Sequence, residues 1–170
     1  MPTKNTTRRN STTERAERGP NPPPGAAAQR LQLVVQYATT ARGLPTRAKL
    51  RRWARAALLA PAAVTLRIVG RREARALNRR YRCRDYPTNV LTFAYPGGHR
   101  AAADIVLCAP VVAHEAAAQR KRLEAHFAHL VVHGVLHMQG HDHRRAGEAR
   151  AMEALETRIL AGLGYADPYV

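Results

Sequence analysis

The stretch His133-Gly134-Val135-Leu136-His137-Met138-Gln139-Gly140-His141-Asp142-His143 holds four of the chain's 8 histidines at a spacing that suits a metal ion. His133 and His137 are four apart. On a helix they share one face with Cβ atoms about 5 to 6 Å apart, within reach of a common ion at about 2.0 to 2.1 Å per bond. Gly140 tolerates the left-handed conformation that ends a helix, so the chain is expected to reverse there and return His143 to the same ion. Three protein ligands with a fourth position open is the layout of catalytic zinc, whereas a structural zinc is closed by four ligands, mostly cysteines.

The spacing H-x3-H-x2-G-x2-H is also that of the metzincin proteases, which carry Glu directly after the first His as general base. Here that place is Gly134, so peptide hydrolysis by that route lacks its base and the metal must serve a different reaction. Charge narrows the choice of substrate. A net charge of +16 and a pI near 11.3 favour a polyanionic partner, because cationic surfaces gain affinity by releasing counterions from nucleic acid. Lys supplies only 3 of the 28 basic residues, and Arg matches phosphate geometry bidentately where Lys does not. Aromatic residues are only 5%, which argues against a base-stacking platform. Metal-assisted cleavage of RNA phosphodiester bonds joins these observations. Two alternatives share the metal: a zinc hydrolase of another substrate, and a non-catalytic RNA- or ribosome-binding module with a zinc-stabilised helix end.

The elements that must position these residues are legible in outline. Residues 1–30 hold almost no large apolar side chains and end in a Pro-rich run, so a disordered basic tail is expected there, followed by one domain over 31–170. Leu31 to Tyr37 reads as a strand. A helix opens after Pro45, with Leu50, Trp53, Ala54, Ala57 and Leu58 inward, and stops at Pro61. Ala63 to Val69 is a strand, Arg72 to Arg82 a helix with Ala74, Leu77 and Tyr81 on its apolar side, and Thr88 to Tyr95 and Ala103 to Cys108 two further strands. From Val111 to Gln139 the pattern permits one long helix, with Arg120-Lys121-Arg122 the place for a break. Gly134 inside it costs about 1 kcal/mol relative to Ala, which implies close packing or a need for room. Arg144 to Leu163 is amphipathic, with Met152, Leu155, Ile159 and Leu160 inward. Strands early and helices late give an α+β fold: a small mixed sheet of about four strands, helices over one face of it, and a metal site at the end of a central, zincin-like helix. Cys83 and Cys108 lack a CxxC spacing and read as incidental thiols. With no membrane-length apolar run and no hydrophobic signal centre, the cytoplasm is the expected compartment.

Three segments together resemble the YbeY endoribonucleases. His133 to His143 is similar to H-G-x-L-H-L-x-G-Y-D-H, with Met138 for Leu and His141 for Tyr. Leu77-Asn78 with Tyr81 to Phe93 resembles L-N-x-x-Y/W-R-x-x-D-x-P-T-D/N-V-L-S-F, and Ala103 to Val106 resembles G-D-I-V. The likeness spans about residues 31 to 164. It implies one zinc ion on His133, His137 and His143, a functional arginine at Arg82, and a break between the third and fourth helices. It also implies a single-strand-specific endoribonuclease of ribosomal RNA processing and ribosome quality control, with ribosomal RNA and the ribosome as partners. Asp142 is a candidate to orient an imidazole, although a turn-stabilising role accounts for it equally well. His126 and His129 share the side of His133 and are expected to be structural. His141 competes with His143 on proximity, and spacing favours His143. Metal content by elemental analysis separates them: His143→Ala is expected to lose zinc and His141→Ala to keep it, and the reverse result would reassign the third ligand.

Overall fold

In the strand Ala62–Val69, residues Ala62, Val64, Leu66 and Ile68 are buried on one face, while Ala63, Thr65 and Arg67 stand on the other, half-exposed. That period of two makes a strand with one covered and one partly open face. In the computed structural model, which describes residues 31–96, 101–141 and 146–170, it is the second of four strands. The order along the chain is β1 (Leu31–Ala38), α1 (Arg47–Ala56), β2 (Ala62–Val69), α2 (Arg71–Arg82), β3 (Val90–Tyr95), β4 (Ala101–Cys108), α3 (Ala109–Ala118), α4 (Leu123–Met138) and α5 (Ala146–Leu163). The tail expected over residues 1–30 lies outside the described residues. Among them, no helix is long and apolar enough to cross a membrane.

The sheet is mixed, in the order β1-β2-β4-β3. β1 runs parallel to β2 with Leu31 opposite Ala62, and β2 parallel to β4 with Ala62 opposite Ala101. β3 pairs antiparallel with β4, placing Phe93 opposite Asp104, and forms one edge. The mixed four-stranded sheet with packed helices is the expected architecture, but the helices are not confined to one face. Trp53, Phe127, Val131, Val135 and Leu160 of α1, α4 and α5 share a core with Val64, Leu66, Ile105 and Leu107. On the opposite face Ala74 and Leu77 of α2 pack with Leu91, Val106 and Cys108. The reason lies in β4: Ile105 and Leu107 are apolar on one side and Val106 and Cys108 on the other, and a strand apolar on both sides needs cover on both.

The stretch from 111 to 139 is two helices. α3 ends at Ala118, and Arg120 takes a left-handed conformation with φ 53°. The Lys121 N–H donates to the Ala116 carbonyl at 2.8 Å and the Arg120 N–H to that of Ala117 at 3.1 Å, the paired bonds of a Schellman cap. Pro110, expected to end β4, also opens α3, where its missing N–H leaves no helical bond unmade. Trp53 is fully buried, and its indole N–H donates to the Tyr165 hydroxyl at 3.1 Å.

Gly134 is where α4 touches the sheet. A Cβ there would lie 2.9 Å from Ile105 Cγ2 and 3.2 Å from Thr92 Oγ1, so the glycine sets how closely helix and strands approach. Gly134→Ala gains about 1 kcal/mol of helix propensity but overpacks a closed core, which costs typically about 1 to 3 kcal/mol. A net loss of stability is expected in urea unfolding, and a net gain would show that the contact has slack.

Candidate functional site

α4 carries His126, His129, His133 and His137 at steps of three and four, hence along one side. Their successive ring centroids are 6.3, 6.4 and 6.1 Å apart. The residue that organises them is on α5. Glu156 is fully buried, and its Oε1 lies 2.9 Å from His133 Nδ1 while its Oε2 lies 2.9 Å from His129 Nε2 and accepts from the Tyr169 hydroxyl. Burial pushes the Glu156 carboxyl up, but the bonds from His129, His133 and Tyr169 outweigh it and hold the group down, to about 2. Burial and the neighbouring carboxylate both raise the Tyr169 phenol, so it stays a donor.

That charge state fixes the chemistry of His133. An ionised carboxylate only accepts, so Nδ1 of His133 carries a proton, and in the neutral ring the lone pair sits on Nε2. This is the arrangement metal-binding histidines use, one ring nitrogen for the ion and the other donating to a carboxylate. His137 follows one turn later. The donor set fits a metal ion: two imidazoles at helical spacing, the first backed by a buried carboxylate. Among the described residues no three His, Cys, Asp or Glu side chains are placed so as to hold an ion between them. The expected third ligand, His143, lies outside the described residues, as does Asp142.

The end of α4 is fixed by its own sequence. Gly140 has φ +92°, and the N–H groups of Gly140 and His141 donate to His137 and Leu136 carbonyls at 3.1 and 3.2 Å, the turn expected of that glycine. The Gln139 carboxamide donates to the Ala57 and Val135 carbonyls and accepts from the Leu59 and Ala60 N–H groups. One side chain thereby ties the histidine-bearing end to the segment between α1 and β2.

His126 and His129, expected to be structural, each meet a carboxylate. His126 Nε2 meets Glu115 Oε2 at 2.8 Å, and Asn89 donates to the same oxygen at 3.0 Å. A cavity of about 430 Å³ opens beside His133, lined by Asn89, Val90, Met152, Glu153 and Tyr169 among others.

Arg82 is the exposed last residue of α2, the helix that packs on the sheet face opposite α4. The segment 83–89 carries the chain from that face to Asn89 and Val90 at the cavity, and buried Asn78 anchors it: its side chain donates to the Tyr86 carbonyl at 2.8 Å and its own carbonyl accepts from the Arg84 N–H. Asp85 pairs bidentately with Arg75 at 2.9 and 2.7 Å, and Asp104 accepts from the Tyr95 hydroxyl. The structure thus brings His133 and His137 together and puts Arg82 on another element.

Sequence reasoning missed Glu156 and Tyr169. A signal for Glu156 existed, since it stands between Met152 and Leu160 at the four-residue recurrence of the buried side of α5, where a charged residue needs partners.

Fold and site define a small α+β protein that presents paired imidazoles, one fixed by a buried carboxylate, at the end of a sheet-packed helix. The family model described as Endoribonuclease YbeY matches residues 36–164. Curated relatives of that name include those of Aromatoleum aromaticum, 59% identical over 146 residues, covering 84% of this chain and 95% of the relative, and of Methylibium petroleiphilum, 57% identical, covering 82% and 94%. Among solved structures, a solution structure from Thermotoga maritima matches with a TM-score of 0.49 at 21% identity, covering 79% of this chain and 98% of that one. The chain belongs to the Endoribonuclease YbeY family. It is accordingly an endoribonuclease, a hydrolase of RNA.

Glu156→Ala would leave the donors of His129, His133 and Tyr169 without their acceptor. Removing one partner of a buried ionic network costs about 3 to 5 kcal/mol, and that loss is expected in urea unfolding. A change below about 1 kcal/mol would show that this network does not hold α5 on α4.

Proposed function

We propose that the chain cuts single-stranded RNA by metal-assisted phosphodiester cleavage, with one zinc ion held by His133, His137 and His143 and the scissile phosphate held by Arg82. The observation that carries this reading is the Glu156 to His133 hydrogen bond of 2.9 Å, one helical turn before His137. Bound there, zinc supplies Lewis acidity toward phosphoryl oxygens. The chain's own residues do the rest. Glu156 keeps the proton on His133 Nδ1 and the ring in one orientation. Gly134, where a protease of this spacing has Glu, supplies no carboxylate base. Arg82 offers a planar fork of donors to phosphate oxygens and stabilises the charge that grows on them during cleavage.

The substrate is ribosomal RNA and the partner the ribosome, in the cytoplasm, and a net charge of +16 supports a polyanionic target. Residues 31–170 form the endoribonuclease domain, and residues 1–30 a basic tail outside it.

Elemental analysis combined with single-turnover cleavage of a single-stranded RNA tests the scheme. His137→Ala is expected to lose both zinc and cleavage. Arg82→Ala is expected to keep zinc and fold while cleavage falls by about 10² or more, the scale of losing one preorganised donor to developing charge. Equal cleavage by wild type and both variants would expose a contaminating nuclease. Intact RNA affinity with no cleavage at all would leave a binding module.

A further inference from the structure

Half of α2 is arginine: Arg71, Arg72, Arg75, Arg79, Arg80 and Arg82 in twelve residues. The helix buries only Ala74 and Asn78, and the arginines at 71, 72, 75, 79 and 80 are exposed. Together these five line a groove of about 920 Å³ that ends at Asp85 and Pro87, in the segment that follows Arg82. This groove is on the opposite sheet face from the histidines, so it is no part of the site already described.

The arginines are largely uncompensated. Arg75 is committed to Asp85 of the following segment, and the single acidic residue of α2, Glu73, is taken by Arg67 of β2. Arg71, Arg72, Arg79 and Arg80 have no ion pair with a carboxylate among the described residues. Four like charges on one short helix repel one another, and the packing side of α2 is made without them, by Ala74, Leu77 and Asn78. Their arrangement suits a linear polyanion. From Arg71 to Arg79 the row rises about 12 Å at about 1.5 Å per residue, enough to follow a short run of successive phosphates on one strand. Arg82 follows Arg75 by seven, hence on the same side of the helix.

We infer that the arginine groove of α2 is an RNA docking surface, which holds the phosphate backbone of the substrate strand away from the cleavage site and leads it to Arg82. This rests on the reading that RNA is the substrate, but not on the cleavage mechanism. Arginine's weakly hydrated, planar fork favours phosphate over the carboxylates of an acidic protein, and the groove contains no aromatic side chain on which bases would stack, so the contact is to backbone and insensitive to sequence.

The test is binding of a single-stranded RNA oligonucleotide to the full chain, followed by fluorescence anisotropy across salt concentrations. The triple variant Arg72→Gln, Arg79→Gln, Arg80→Gln is compared with Arg51→Gln, Arg55→Gln, Arg158→Gln, which removes equal charge from exposed positions on α1 and α5. Thermal unfolding and zinc content of both variants check the fold. The α2 variant is expected to bind on the order of tenfold more weakly, with the slope of log K against log salt reduced by about 2, at about 0.7 per lost phosphate contact, and the control to change little. Equal losses in the two variants would reduce the effect to overall charge and overturn the proposal. Unchanged RNA affinity with lost binding of polyglutamate would assign the groove to an acidic protein and also overturn it. Because binding is read without turnover, a weakened α2 variant in a protein that never cleaves RNA sustains the docking surface and fails the nuclease mechanism instead.

Discussion

A buried carboxylate is the constraint on which this structure turns. Glu156 has no solvent to stabilise its charge, and an isolated ionised carboxyl in such a place would take up a proton. It stays ionised because three donors reach it from two other parts of the chain: two rings of α4 and the phenol of Tyr169 near the C-terminus. The dependence is mutual. The donors fix the charge, and the charge fixes which nitrogen of His133 bears the proton. α5 therefore cannot shift on α4 without disturbing the His133 imidazole, and under the proposed metal site this structural network would also prepare a ligand.

The remaining contacts of α4 serve the same end. Gly134 lets the helix descend onto Ile105 and Thr92, and Gln139 uses both ends of its carboxamide to hold the last turn against the segment after α1. At the opposite end of the helix, Glu124 joins Lys49 of α1 and the Tyr165 hydroxyl, which in turn accepts from Trp53. A helix pinned along its sheet side, at both ends and by a buried charge has little freedom to rotate, and rotation is what would carry His133 away from Glu156.

Much of this was legible in the sequence because it is local. The strands announce themselves by alternation, α1 by its prolines and inward apolar residues, and the end of α4 by Gly140. What escaped was either non-local or chemically atypical. The break between α3 and α4 falls at the expected Arg120-Lys121-Arg122 cluster, but its cap puts Arg120 in the left-handed position, a form of turn that an arginine does not signal. Glu156 is twenty-three residues from His133, and its role exists only once α5 packs on α4. The placement of α2 across the sheet followed from β4 having two apolar sides, which the order of elements did not express. The pairing of His133 with His137 was readable from spacing alone, whereas the position of Arg82 depends on how the chain rounds the edge of the sheet.

That edge gives the two halves of the molecule a physical relation. β3 is the edge strand, with α4 against one of its faces and α2 toward the other, and segment 83–89 crosses between them. A nucleic acid held by the arginines of α2 and cut at the histidines of α4 must turn round this edge within a few nucleotides. Duplex DNA resists bending over about 150 base pairs, so turning a duplex round this edge carries a deformation cost. A single strand has backbone freedom enough to make the turn. Preference for single-stranded RNA would then come from the separation of docking and cleavage on opposite faces of a thin sheet, with no need for a side chain that reads strandedness.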